Sequence, residues 1–152
     1  MKVGEFLDSR AIVVDLKATN KKEVLEELIE VLVSVYHELN REQMVHALLE
    51  REKLGSTGIG DGVAIPHGKL AGLKQLISCF GKSDKGVEFQ SMDKKPAHLF
   101  FLLFAPENSA GIHLKALARI SRLLKRPSFR KELLKAESEQ EIYETLTRED
   151  DQ

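Results

Sequence analysis

The spacing of apolar residues changes along the chain, and each change marks an expected element. Residues 11–16 (AIVVDL) are short and β-branched, which predicts a strand. Val24, Leu25, Leu28, Ile29, Leu32 and Tyr36 then recur at helical spacing, behind an Asn20/Glu23 pair that resembles a capping box. The device repeats with Asn40 and Gln43 ahead of Met44, Val45, Leu48 and Leu49, and Gly55 closes that helical stretch. The middle of the chain reads as strands at 63–65, 76–81 and 98–105, with turns at 81–86 and 93–96. The stretch 98–105 (HLFFLLFA) is apolar on both alternating faces and so expects cover on both sides. Beyond Pro106 helical spacing returns over 112–126, and Pro127 is expected to stop it. A short helix at 128–135 and a last one at 138–147, opening on Ser138 and Glu141, complete the pattern, and the tail 148–152 is expected to fray. A strand, two helices, several strands and then helices predict an α/β sandwich with a mixed sheet covered on both faces.

Composition narrows the class. With 152 residues, 42% hydrophobic and 31% charged, the chain suits one domain, 1–152, with a real core. A formal net charge of -1 gives no bulk argument for nucleic acid. No apolar run reaches membrane-spanning length and the first ten residues lack a signal core, so a cytoplasmic protein without direct membrane insertion is expected. Cys79 is the one cysteine; it excludes an internal disulfide and, inside LISCFG, reads as a small buried hydrophobe.

Three side chains are candidates for chemistry. His67 stands between Pro66 and Gly68 in GVAIPHGK. The proline pushes Ile65 toward an extended conformation, and the glycine lets another molecule approach the backbone. Such a fixed imidazole can act as acid, base, metal ligand or nucleophile; the plainer reading is a histidine that ends a strand. Arg51 follows Met44 and Leu48 at i, i+4, i+7, which turns it inward and asks for an anionic partner, a phosphoryl group among them; otherwise it reaches solvent with Glu52 at a fraying helix end. His113 shares a face with Leu117, Ile120 and Leu124 in the first helical turn, where free N–H groups gather; a core-edge histidine bonded to a carbonyl is the alternative.

Other patterns exclude more than they suggest. No histidines lie three or four apart on a helix and none pairs with Cys79, so neither zinc nor another metal is expected, and no cofactor. The segment GSTGIGDG lacks the lysine of a phosphate-binding loop, and no G-x-S-x-G elbow occurs. Lys115, Arg119, Arg122 and Arg126 form a basic stripe on the same helix as His113. It reads as a solvated helix face or a dock for an acidic partner before it reads as a nucleic-acid surface, because aromatic interleaving is absent.

The stretch 51–69, REKLGSTGIGDGVAIPHGK, resembles the active-site motif of the fructose/mannitol-type enzyme IIA domains of the bacterial phosphotransferase system. Glu52, Ile59, Gly60, Val63, Ala64, Ile65, Pro66, His67 and Gly68 fill its pattern, and residues 105–124 resemble the second segment of that family. The resemblance covers nearly the whole chain. It implies a three-layer α/β/α sandwich with a mixed central sheet, and a phosphoryl group carried on His67 through Nε2. Arg51 and His113 match the residues that surround it. The donor it implies is a histidine phosphocarrier, HPr or its nitrogen-branch counterpart. The family divides into sugar components that pass phosphate to a IIB domain and a nitrogen-related regulator that binds transporters or kinases. Residues 113–124 look more like the regulator. A module that binds partners without ever being phosphorylated is the rival from a different class.

Overall fold

The computed structural model describes residues 1–148; of the tail expected to fray, Arg148 instead ends the last helix and 149–152 lie outside the described residues. A 3-10 turn at Val3–Glu5 leads into strand β1, Leu7–Val13. Helix α1 spans Lys21–Val35, helix α2 Arg41–Lys53. Both begin where the sequence expected: Oδ1 of Asn20 accepts the N–H of Glu23 at 2.9 Å, and Oδ1 of Asn40 that of Gln43 at 3.0 Å. Val24, Leu25, Leu28, Ile29 and Leu32 form the buried stripe of α1, Met44 and Leu48 that of α2.

Strands β2 (Gly58–Gly60), β3 (Val63–Ala64), β4 (His67–Leu70), β5 (Ile77–Val87) and β6 (Ala97–Pro106) follow. Helices α3 (Ala110–Leu124), α4 (Pro127–Lys135) and α5 (Glu139–Arg148) complete the order. Among the described residues the sheet runs β1-β5-β6-β3-β2, with β4 also paired to β6. It is mixed: β5 and β6 are antiparallel, whereas β1 runs parallel to β5, and β3 and β4 parallel to β6.

Neighbouring residues of β5 show how the layers sort. A side chain at Gly81 would meet Leu28 of α1, while Lys82 points to the other face and reaches α4. Helices α1 and α2 therefore cover one face and α3 to α5 the other, a three-layer α/β/α sandwich. Strand β6, between the two, buries every residue from Leu99 to Ala105. Phe80, Phe100, Phe101 and Phe104 are fully buried at this centre, each worth about 1.5–3 kcal/mol of apolar transfer.

Four expectations need correction. β1 begins at Leu7, ahead of the expected 11–16, because the polar Asp8, Ser9 and Arg10 occupy its partly exposed stretch. Residues 81–86 are not a turn but the continuation of β5 to Val87, which pairs with Ala97 across a bulge. What makes polar Lys82 tolerable in a buried strand is its partner set: Nζ donates to the carbonyls of Leu133 (3.4 Å), Leu134 (2.9 Å) and Ala136 at the end of α4. Pro127 does not stop α3, which ends at Leu124; it is the first residue of α4, where its missing N–H costs nothing. The short strands β2 and β4 were not expected. β2 and β3 are joined through Asp61 and Gly62, whose φ values of 57° and 77° suit a two-residue hairpin turn.

Candidate functional site

His67 opens β4 opposite Leu103 of β6, so it begins a strand and does not end one. The N–H of Leu103 donates to the carbonyl of Pro66 at 2.9 Å, which ties the backbone just before the ring to the central strand. Nδ1 of His67 lies 2.8 Å from the carbonyl oxygen of Ile65. A carbonyl only accepts, so Nδ1 carries the proton and the lone pair of the neutral ring sits on Nε2. The second partner agrees: Nε of Arg51 donates to that same Nε2 at 3.3 Å.

Arg51 closes the last turn of α2, and its Nη1 also donates to the carbonyl of Gly55 at 2.9 Å. The expected anionic partner is not what holds it; a neutral ring nitrogen and a carbonyl do. Glu52, expected beside it or in solvent, turns inward instead. Its side chain is 6% exposed and meets Nζ of Lys21 at 2.8 Å.

His113 lies in the first turn of α3, where its N–H donates to the carbonyl of Ser109 at 2.9 Å. Its ring packs edge-on against His67, with centroids 5.4 Å apart and planes at 75°. The residue is 7% exposed, and Nε2 is a buried polar atom without a hydrogen-bond partner. The structure thus gathers His67, Arg51 and His113, from three separate elements, into one cluster.

Burial disfavours the charged form of both rings. It pulls the pKa of His67 below its ordinary value; the Ile65 carbonyl opposes the shift and the Arg51 charge adds to it. His113 is pushed down to about 4 by burial, then by the neighbouring His67 and Lys69. At neutral pH both rings are uncharged, so the cluster has an imidazole lone pair covered by a guanidinium, and an orphaned ring nitrogen beside them. That set can accept an electrophile on Nε2 and donate to anionic oxygens around it.

A cavity of about 210 Å³ opens over His67 and Arg51. Ser56, Thr57 and Ser121 bring hydroxyls to its wall, and Ile59, Ile65 and Leu117 line the rest. None of the three hydroxyl residues was singled out by sequence; Ser56 and Thr57 sit in GSTGIG, whose only visible signal is glycine. A larger cavity of about 590 Å³, between Gln43 and Lys74, touches none of the three site residues.

The basic stripe lies on α3 with Lys115 and Arg122 exposed, Arg119 half-buried, and the guanidinium of Arg126 5.9 Å from the Phe129 ring. Cys79 is fully buried and burial raises its thiol pKa, which leaves it inert. No helix among the described residues is long and apolar enough to cross a membrane.

Residues 5–149 match the family described as "Phosphoenolpyruvate-dependent sugar phosphotransferase system, EIIA 2". A nitrogen regulatory protein of Bradyrhizobium diazoefficiens is 42% identical over 146 residues, covering 96% of this chain and 95% of its own. The fructose-specific EIIABC component of Bacillus subtilis is 40% identical over 150 residues; the match spans 99% of this chain and 24% of that protein. The crystal structure of the nitrogen regulatory protein IIA-Ntr from Neisseria meningitidis superimposes with a TM-score of 0.89 at 38% identity, covering 95% of this chain and 99% of that one.

Proposed function

The chain belongs to the EIIA family of the phosphoenolpyruvate-dependent sugar phosphotransferase system, and from that premise we propose that it carries a phosphoryl group on Nε2 of His67. The observation that supports this most is the ring's hydrogen bonding. Nδ1 is committed to Ile65, so Nε2 alone offers a lone pair, and it opens on a cavity beside a guanidinium.

The donor is a phosphohistidine on a small histidine phosphocarrier, HPr or its nitrogen-branch counterpart. The Nε2 lone pair attacks phosphorus as the bond from phosphorus to the donor's ring nitrogen breaks, and that nitrogen recovers the electron pair. Charge spreads over the phosphoryl oxygens in between. Arg51 leaves Nε2 and turns its planar fork to those oxygens, while His113 Nε2, when protonated, supplies a second donor. The His67 ring keeps its Nδ1 proton and becomes cationic, a state that the Ile65 carbonyl favours.

The nitrogen-regulatory branch is the favoured role, supported by the 0.89 superposition on IIA-Ntr. Its phosphorylation state would set its binding to a transporter or kinase in the cytoplasm. The fructose-specific relative at 40% identity supports a second reading, transfer onward to a IIB domain. Incubation with phosphoenolpyruvate, enzyme I and a phosphocarrier should label the chain with one acid-labile, base-stable phosphoryl group, and His67→Ala should take up none. Equal labelling of His67→Ala would refute the carrier assignment. Onward transfer to an added fructose-type IIB would select the sugar branch.

A further inference from the structure

Glu52 and Lys21 are 31 positions apart, yet they form a buried ion pair at the foot of the loop that shapes the site. The two side chains are 6% and 16% exposed, and Lys21 Nζ also lies 4.7 Å from the centroid of the Phe89 ring. A charge pair this secluded costs desolvation on both partners, so it is weak evidence for stability alone. What it touches is more informative.

Glu52 Oε1 accepts the backbone N–H of Thr57 at 3.2 Å, and Oε2 accepts the Thr57 hydroxyl. The carbonyl of Thr57 accepts the N–H of Ile65 at 3.0 Å. The carbonyl of Ile65, in turn, accepts Nδ1–H of His67. Lys21, Glu52, Thr57, Ile65 and His67 therefore form one continuous chain of hydrogen bonds, ending on the nitrogen that selects the tautomer. The links pass from the N–H to the carbonyl of the same residue, at Thr57 and again at Ile65, so the chain acts by holding the loop in place. The same loop supplies the Gly55 carbonyl that holds Arg51. Ser56 braces it from below, donating to the Phe89 carbonyl at 2.7 Å and accepting the N–H of Gly58 at 3.0 Å.

We propose that the Lys21–Glu52 pair is a positioning element of this site, which fixes the tautomer and aim of His67, and the place of Arg51, through the loop 55–65. Neither residue touches the transferred group. The proposal rests on the phosphoryl-carrier reading for its consequence, although not for its geometry. A ring turned by a few tenths of an ångström, or split between tautomers, presents less lone pair in line with phosphorus.

The test compares wild type with Glu52→Ala, Glu52→Gln and Lys21→Met. Two readouts are needed: the ring-nitrogen NMR shifts of His67 in the unphosphorylated protein, and the rate of phosphoryl uptake from the phosphocarrier. Wild type should show Nδ1 protonated and Nε2 bare. Glu52→Ala should shift population toward the other tautomer and slow uptake about tenfold or more. Glu52→Gln, whose amide oxygen still accepts the Thr57 N–H, should restore both to within about twofold. Should Glu52→Ala fail to fold, Lys21→Met, which keeps an apolar stem against Phe89, should change both readouts in the same direction. Unaltered ring-nitrogen shifts, or an unaltered uptake rate, in folded Glu52→Ala or Lys21→Met overturns the proposal. If wild type itself takes up no phosphoryl group, the carrier reading falls, and the ring-nitrogen shifts alone decide the role of the pair.

Discussion

Arg51 donates through Nε to Nε2 of His67 at 3.3 Å, so in the resting protein a cation rests on the lone pair that has to attack phosphorus. The contact has two consequences. It disfavours a proton on Nε2, which keeps the nucleophile in its reactive neutral form. It must also break before transfer, and Arg51 is then already beside the oxygens on which negative charge grows.

Arg51→Ala should therefore act in two directions. Uptake should fall by roughly a hundredfold, the usual cost of losing one strong donor at a developing charge. The His67 pKa should rise, because the nearby positive charge is one cause of its depression. Arg51→Lys should not recover the rate, since an ammonium lacks the planar fork. Uptake kinetics and an NMR titration of the ring measure both effects; a wild-type rate in Arg51→Ala would remove the residue from the site.

Acid stability should report on His113. Its folded pKa of about 4 lies below the ordinary 6.5 of an unfolded histidine. Between those values the unfolded chain binds the proton and the native protein resists it. Stability is therefore greatest above pH 6.5 and falls as the pH drops toward about 4. His113→Gln should flatten this decline, leaving the shares due to His67 and to the carboxylates held below their ordinary values, Glu50 among them. Denaturant midpoints across that range give the comparison, and an undiminished slope would contradict the burial argument.

Lys82 belongs to the fold and not to the chemistry. Lys82→Met removes the donor shared by the carbonyls of Leu133, Leu134 and Ala136. Loss of those bonds should cost about 2 kcal/mol, or about 4–8 °C in Tm for a chain of this size. Phosphoryl uptake by the folded variant at low temperature should match wild type. A change in uptake with no change in Tm would place Lys82 in the wrong role.

Much of this was legible in the sequence where the physics is local. Asn20 and Asn40 announce their helices because a cap acts within one turn, and the all-apolar run around Phe101 announces a strand covered on both faces. The strands missed, Gly58–Gly60 and His67–Leu70, are too short for alternation to show, and glycine masks it further. Residues 81–86 look like a turn because glycine stands at both ends of a polar run, and the partners that let Lys82 be buried, the carbonyls of Leu133, Leu134 and Ala136, are about fifty positions away. At the site, the inward aim of Arg51 and His113 followed from helical periodicity, whereas their meeting at His67 depends on sheet order. Lys21 left no trace, since nothing local marks a lysine at a helix start as half of a buried pair. Glu52 appeared as a motif position and as a neighbour of Arg51 at a helix end, and its turn inward toward Thr57 could be read only from the packed loop.

A phosphoryl group bonded to Nε2 of His67 would couple phosphorus to that nitrogen, and the coupling can be measured in protein carrying nitrogen-15 histidine after reaction with a phosphorylated phosphocarrier. One coupled ring nitrogen is expected, the Nε2 of His67, with Nδ1 still protonated against the Ile65 carbonyl. Phosphorus on Nδ1, on His113, or on no histidine at all would contradict that expectation.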